Sequence, residues 1–443
     1  MKKLIIICAF GSITFLIVQI YIMLYSEYNS AKNNEKVFNI NFLFNVKLMQ
    51  EILKKFQVIS VLIDKDILSI PISKFKIQNK IDVYNCNHFC SKFSTVFLIS
   101  GIKIERKFAE IKTSWEKHGF HVDINEDFDM AHESLEHFKD AKKQIYHIFL
   151  TRNSTLLHLV VSYPRFKGHW SKKCTMKKSS TIALFSQQSH LFCLSDYIFK
   201  FPYPRTVLLD GVSVNVPQFL KIFLQEFQTH IFIPCNFAQA RLFYSLYGYE
   251  NDEESEIFRS KAKHILEIVS IELSKYNIPF WLSSGTLLGW FRQCDFITHS
   301  KDVDIGIWIK YYNESFVSSF LERGFHLKHR FGKVEDSFEL SFEMENIKLD
   351  IFFFYEDSNY MWNGGTQVKS RKKFKYIFHK FSLCWSELSN ILVRVPCEPT
   401  KYIQANYGNE WRIPIKTWDW KSSPPNVREN GEWPMEEQVI YMN

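Results

Sequence analysis

The run Lys301-Asp302-Val303-Asp304-Ile305-Gly306-Ile307 sets two carboxylates two residues apart inside an apolar stretch. In a β-strand, residues i and i+2 share a face, so Asp302 and Asp304 point one way. Val303, Ile305 and Ile307 then point the other way, into a core. Two negative charges side by side at a strand end repel each other. A divalent metal carrying a phosphate-bearing substrate is the usual compensation.

The flanking sequence fits that chemistry. Phe258, Ala262, Ile265, Val269 and Leu273 recur at helical spacing and predict one buried stripe, which Tyr276-Asn-Ile-Pro ends. A strand from Phe280 leads into the Ser283-Ser284-Gly285 turn, and Thr286–Phe291 resumes as a short helix. The N-terminal amides of that helix and the two serine hydroxyls form a phosphate-holding group. Downstream, Lys348-Leu-Asp350-Ile-Phe-Phe-Phe puts a third carboxylate at the mouth of an apolar run, 46 residues beyond Asp304. A helix (Tyr312–Arg323) and a strand (Phe338–Phe342) fit between them. Three carboxylates on neighbouring strands can share one metal, and their hard oxygens suit Mg²⁺ or Mn²⁺. The plain alternative is a solvated strand end with ordinary capping aspartates. Two enzyme classes use an Asp-x-Asp pair: luminal glycosyltransferases and enzymes of the nucleotidyltransferase fold. The Ser-Gly turn 17 residues before Asp302, together with Asp350, favours the second.

The chain has 443 residues, so more than one domain is expected. Its net charge of +8 is mild and its cations are dispersed, which leaves no nucleic-acid footprint. Residues 4–25 form an apolar run without a charge, preceded by Lys2 and Lys3 and followed by Glu27. Its length and its bulky end predict an uncleaved type II membrane anchor rather than a signal peptide. The expected layout is a cytosolic tail (1–3), the anchor (4–25) and a stem (26–54). An N-terminal luminal α/β domain (55–245) and a C-terminal catalytic domain with a mixed sheet (250–443) follow. The class is therefore α/β (α+β). In the N-terminal domain, Val58–Ile63, Val96–Ile99, Ile148–Leu150 and Leu157–Val161 read as strands, and Phe108–His118 and Met130–Lys143 as helices. His147 and His158 read as structural residues. Asn153 and Asn313 begin glycosylation sequons, consistent with a luminal chain. Eight cysteines outside the anchor permit disulfides of undetermined pairing, and Cys86-x-x-x-Cys90 with His88 is a weak zinc signal.

Longer motifs carry a resemblance. Trp281 to Cys294, Ser300 to Gly306, Lys328 to Ser341, Lys348 to Tyr355, Met361 to Gln367 and Ile413 to Asn426 resemble the fukutin family, within the LicD-like phosphotransferase superfamily. The likeness is dense over about 250–435. The resemblance implies a nucleotidyltransferase-like fold and a Golgi or endoplasmic-reticulum enzyme. It also implies transfer of ribitol 5-phosphate from CDP-ribitol to N-acetylgalactosamine on the O-mannosyl glycan of dystroglycan, releasing CMP. Fukutin-related protein and other O-mannosyl glycan enzymes are the implied partners, and a homo-oligomer is compatible with it.

On this reading Asp302 and Asp304 hold the metal on the donor diphosphate. Asp350 completes the site as ligand or as the acceptor's base. Ser283, Ser284 and Gly285 hold phosphate, and Arg292 or Lys301 adds positive charge. Trp362-Asn363-Gly364-Gly365 is a loop near the donor or a hairpin turn, and Trp418-Asp419-Trp420 faces the acceptor or the core. Ser300 and Lys301 stand where many superfamily members carry further acids, which leaves fewer metal ligands. Two competing readings are a luminal glycosyltransferase and a non-catalytic scaffold for glycosylation enzymes.

Overall fold

The computed structural model describes residues 23, 41–69, 89, 94–128, 143–166, 168–173, 196–437 and 439–442. The anchor run except Met23, the residues before it, positions 26–40 of the stem, Cys86, His88, Cys90, Cys174, Cys193 and the helix expected over Met130–Lys143 (Lys143 apart) lie outside them. Among the described residues, no helix is long and apolar enough to cross a membrane.

The N-terminal unit is built on hydrophobic strands that pair over long sequence distances. Ser94–Ser100 runs parallel to Thr155–Phe166, with Phe97 opposite Leu159, and Lys143–Arg152 lies antiparallel to the latter. Both partners are apolar on both faces, the pattern of a sheet covered from two sides. Helix Phe108–Lys117 buries Ile111 and Trp115 against it. The stem expected over 26–54 ends earlier. Residues 41–55 are helical and bury Phe42, Val46, Met49 and Leu53 in this core, because their spacing of three to four residues makes one apolar stripe. Lys143 belongs to a strand rather than a helix end. His147 and His158 face each other across two strands, Nδ1 to Nε2 at 3.0 Å. Burial pushes His147 down to about 3, so the pair is neutral and holds structure.

The C-terminal unit begins with the long helix Glu253–Lys275, capped by Asp252, whose carboxylate accepts from the Ser255 amide at 3.0 Å. The expected stripe residues Phe258, Ala262, Ile265, Val269 and Leu273 are all buried. Behind the helix lies a nine-stranded mixed sheet. Its second hydrophobic cluster is distinct from that of the N-terminal unit.

The two units interlock rather than follow one another. The hairpin formed by Leu383–Leu388 and Ile391–Pro396 lies outside the nine-stranded sheet and joins the N-terminal one. Phe232 of strand Ile231–Phe232 pairs in parallel with Trp385. At this seam Arg165 clamps Glu387 with two bonds of 3.0 and 2.7 Å, and its guanidinium lies 4.6 Å from the Phe232 ring. Two disulfides are formed among the described residues. Cys384–Cys397 closes the hairpin, and Cys235–Cys294 ties the connecting segment to the C-terminal unit.

Candidate functional site

Strand Asp302–Trp308 lies between two partners. Phe280–Leu282 pairs with it antiparallel, Leu282 opposite Ile305. Ile347–Glu356 pairs with it in parallel, and the register sets Asp304 opposite Asp350 and Asp302 opposite Lys348. Val303, Ile305 and Ile307 are fully buried on the other face, as alternation requires. Asp302, Asp304 and Asp350 each present an oxygen, and the three atoms lie within 4.8 Å of one another.

The bonds around the carboxylates leave a gap at their centre. Asp304 Oδ2 accepts from the Gly285 amide at 2.9 Å and from the Thr286 amide at 3.4 Å. In return the Asp304 amide donates to Thr286 Oγ1 at 2.8 Å. Asp350 Oδ2 accepts from Lys348 Nζ at 2.7 Å. Asp302 Oδ1 and Asp350 Oδ1 are buried and have no hydrogen-bond partner among the described residues. Buried oxygens without partners, converging from three acids, fit a hard divalent cation.

Electrostatics follow from this crowding. Burial, and Asp350 after it, raise Asp302 to about 6 against the pull of Ser300. Burial, then Asp302 and Asp350, push Asp304 well above the usual carboxylate range. Burial works against the charge of Lys348, but its pairing with Asp350 raises it overall. Asp302 and Asp304 thus titrate above their unfolded values. Without metal, their contribution to stability is present at low pH and is lost as pH rises through about 6. Mn²⁺ or Mg²⁺ is therefore expected to raise the melting temperature more at pH 7.5 than at pH 5, read by differential scanning calorimetry. An equal rise at both pH values would refute the shared metal role.

These residues floor a cleft of about 760 Å³. Helix Ser284–Gln293 begins at its wall, so Ser284 and Gly285 line it as expected. Ser284 sits in the left-handed region at φ 41, a strained geometry characteristic of functional turns. A Cβ on Gly285 would come within 3.2 Å of Asp304 Oδ2, so the close approach favours glycine. The amides expected to face phosphate are partly engaged by Asp304. Ser283 is buried behind the turn, its Oγ 3.0 Å from Tyr402 Oη, and is not part of the cleft lining. Arg292 lines the cleft. It is 3% exposed, bonds Gln293 Oε1 and packs over Phe243 at 4.6 Å. No carboxylate pairs with it among the described residues. Lys301 turns outward to an exposed pair with Glu254 and does not line the cleft.

The structure replaces the expected loop or turn at Trp362-Asn363-Gly364-Gly365 with a strand, Tyr360–Thr366. Asn363, Gly364 and Gly365 line the cleft, and a Cβ on Gly364 would fall 2.1 Å from Ser337 Oγ. The glycines there make room for neighbours rather than reverse the chain. Trp362 packs elsewhere, stacked on Tyr355 at 4.3 Å. Trp418 and Trp420 both line the cleft, and Trp418 also packs on Tyr407 at 4.9 Å. Both sequon asparagines are exposed. Asn153 lies in a turn, and Asn313 caps helix Glu314–Glu322 through Oδ1, which leaves its Nδ2 clear of that bond.

Lys348 and Glu339 are among the cleft residues that sequence reasoning missed. Lys348 stands two residues before Asp350, so strand alternation alone would have placed it on the same face. Glu339 had no local signal, because only the pairing of distant strands brings it to the site.

Residues 277–398 match the family described as LicD/FKTN/FKRP, nucleotidyltransferase domain, and residues 2–263 match Fukutin N-terminal. Over 290 residues the chain is 46% identical to the ribitol-5-phosphate transferase FKTN of Homo sapiens and 47% identical to that of Mus musculus. The match covers 65% of this chain and 63% of each relative, so it spans under two thirds of their length. An uncharacterized protein of Caenorhabditis elegans is 29% identical over 238 residues, covering 50% of this chain and 59% of its own.

Proposed function

Because the chain belongs to the fukutin family and carries that family's nucleotidyltransferase domain, we propose that it is a ribitol-5-phosphate transferase. The donor is CDP-ribitol. The acceptor is N-acetylgalactosamine on the O-mannosyl glycan of α-dystroglycan, and CMP is released. The observation that carries this reading is the convergence of Asp302, Asp304 and Asp350, with two unpartnered oxygens, on the floor of a cleft that also presents Lys348 and Arg292.

Asp302, Asp304 and Asp350 are the residues that would hold Mg²⁺ or Mn²⁺. When bound, the cation neutralises the diphosphate and the charge that develops on the leaving CMP. Arg292, buried without an acid partner, supplies a fixed positive charge to the phosphates. Lys348 holds Asp350 through Oδ2 and keeps its Oδ1 directed at the site. The acceptor hydroxyl attacks the phosphorus that bears ribitol, a new phosphorus–oxygen bond forms, and the bond to CMP breaks. Asp350 is positioned to orient that hydroxyl and take its proton. Walls rich in Trp and Tyr limit water, which would otherwise hydrolyse the donor.

The charge-free run at 4–25 supports a single-pass type II anchor in the Golgi membrane with a luminal catalytic unit. Exposed Asn153 and Asn313 support glycosylation there. Fukutin-related protein and other enzymes of the same glycan are the proposed partners.

The test is incubation of the full chain with CDP-ribitol, CDP-glycerol and a set of UDP-sugars. Ribitol phosphate is expected in the product and CMP in solution, with both lost in chelator and restored by Mn²⁺ or Mg²⁺. Release of UDP with a sugar in the product would replace this reading with a glycosyltransferase. Turnover of no donor would favour a scaffold.

A further inference from the structure

We propose that Glu339 is a specificity-determining residue that binds a hydroxyl-rich group next to the reacting phosphorus. This inference rests on the transferase reading given above. Strand Asp336–Met344 pairs antiparallel with Ile347–Glu356, Ser341 opposite Asp350 and Glu339 opposite Phe352. Glu339 thus shares the face of Asp350 as its diagonal neighbour, roughly 7–8 Å away. On its other side it pairs with Phe331. The carboxyl therefore stands between two aromatic residues, and all three line the cleft.

Lys348 attracts this group through its charge but donates its bond to Asp350. Glu339 makes no hydrogen bond or ion pair among the described residues. Lys348, the cation that acts on Glu339, is held by Asp350 at 2.7 Å. It is not one of the three acids that converge within 4.8 Å, so it is not needed to hold the cation. Glu339 is partly buried in the cleft wall, so its carboxyl has lost part of its hydration, and a ligand's hydroxyls would supply the missing bonds.

The chemistry of that ligand follows from the surroundings. A carboxyl group is a poor partner for phosphate, which Arg292 and the metal side of the cleft serve better. It accepts bonds from two neighbouring hydroxyls well. Aromatic faces on both sides pack against the C–H surface of a sugar or polyol. A ligand that fills the cleft but lacks the hydroxyls would cover Glu339 without bonding it, which is a basis for rejection. Two groups near the phosphorus have this chemistry, the polyol of the donor and the sugar of the acceptor.

The experiment compares the full chain with Glu339→Gln and Glu339→Asp. Direct binding of ribitol and of methyl β-N-acetylgalactosaminide is followed by ligand-observed NMR, alongside KM and kcat for CDP-ribitol, CDP-glycerol and the glycoside. About a tenfold weakening is expected for one hydroxyl probe in both variants, falling in KM rather than kcat, with the Mn²⁺ requirement unmoved. Loss confined to the glycoside assigns Glu339 to the acceptor sugar. Loss for ribitol, with the preference for CDP-ribitol over CDP-glycerol erased, assigns it to the donor polyol. Either outcome supports the inference. Unchanged binding of both probes overturns it, as does a changed Mn²⁺ requirement with both KM values intact. A wild-type chain that binds neither probe also overturns it. One that binds a probe but transfers nothing from CDP-ribitol refutes the donor assignment and leaves the hydroxyl site standing, provided that the variants weaken that probe.

Discussion

Asp304→Asn is expected to lower ribitol phosphate transfer by at least about a thousandfold, equivalent to about 4 kcal/mol of lost transition-state stabilisation. The same substitution is expected to stabilise the metal-free fold. Asparagine keeps an oxygen to accept from the Gly285 and Thr286 amides. It also removes one of three charges that burial and mutual repulsion penalise. Activity and stability thus move in opposite directions, which separates a lost metal site from misfolding. Transfer assays at saturating Mn²⁺, with calorimetry in chelator, measure both. Wild-type transfer by the variant would end the metal role. A large fall in melting temperature would show that Asp304 is structural instead.

Glu387→Ala should cost about 1.5–3 kcal/mol at the seam between the two units, because it removes two charge-assisted hydrogen bonds to a mostly buried guanidinium. The side chains of Arg165 and Glu387 are 14% and 10% exposed and share two bonds, whereas most other ion pairs here are substantially more exposed. Such exposed pairs are worth little. With two separate hydrophobic clusters, the chain need not unfold as one unit. The expected signature is a transition at lower urea concentration that involves the hairpin and the N-terminal sheet. Hydrogen exchange at Leu383–Leu388 reads it directly. Unaltered exchange there would mean that pairing of Phe232 with Trp385, not the ion pair, holds the units together.

Much of the site was legible in the chain because its signals are local. Alternation placed Asp302 and Asp304 on one face and three aliphatic residues on the other. Glycine and serine marked the turn, and a carboxylate at the mouth of an apolar run marked the third acid. The failures are equally physical. The Gly364-Gly365 pair has the composition of a turn, yet it lies in a strand because Ser337 and Trp420 press against it. The helix at 41–55 was hidden by the polar residues before it, and its apolar stripe counts only once the N-terminal sheet is there to receive it. Lys301 carries the right charge next to the right motif, but its left-handed backbone and Glu254 direct it outward.

By itself the sequence determined which residue types meet at a strand end, two carboxylates beside a Ser-Gly turn, and that a charge-free run of membrane-spanning length precedes them. Period-two and period-3.6 patterns carry that information within a few residues. Only the tertiary structure decided that Asp350 stands opposite Asp304, that Lys348 braces it, that Glu339 stands diagonally beside it in the cleft, and that the hairpin Leu383–Pro396 completes the N-terminal sheet. These are facts of strand register. Register is set by long-range pairing and by the packing of whole faces, which no short stretch of chain encodes.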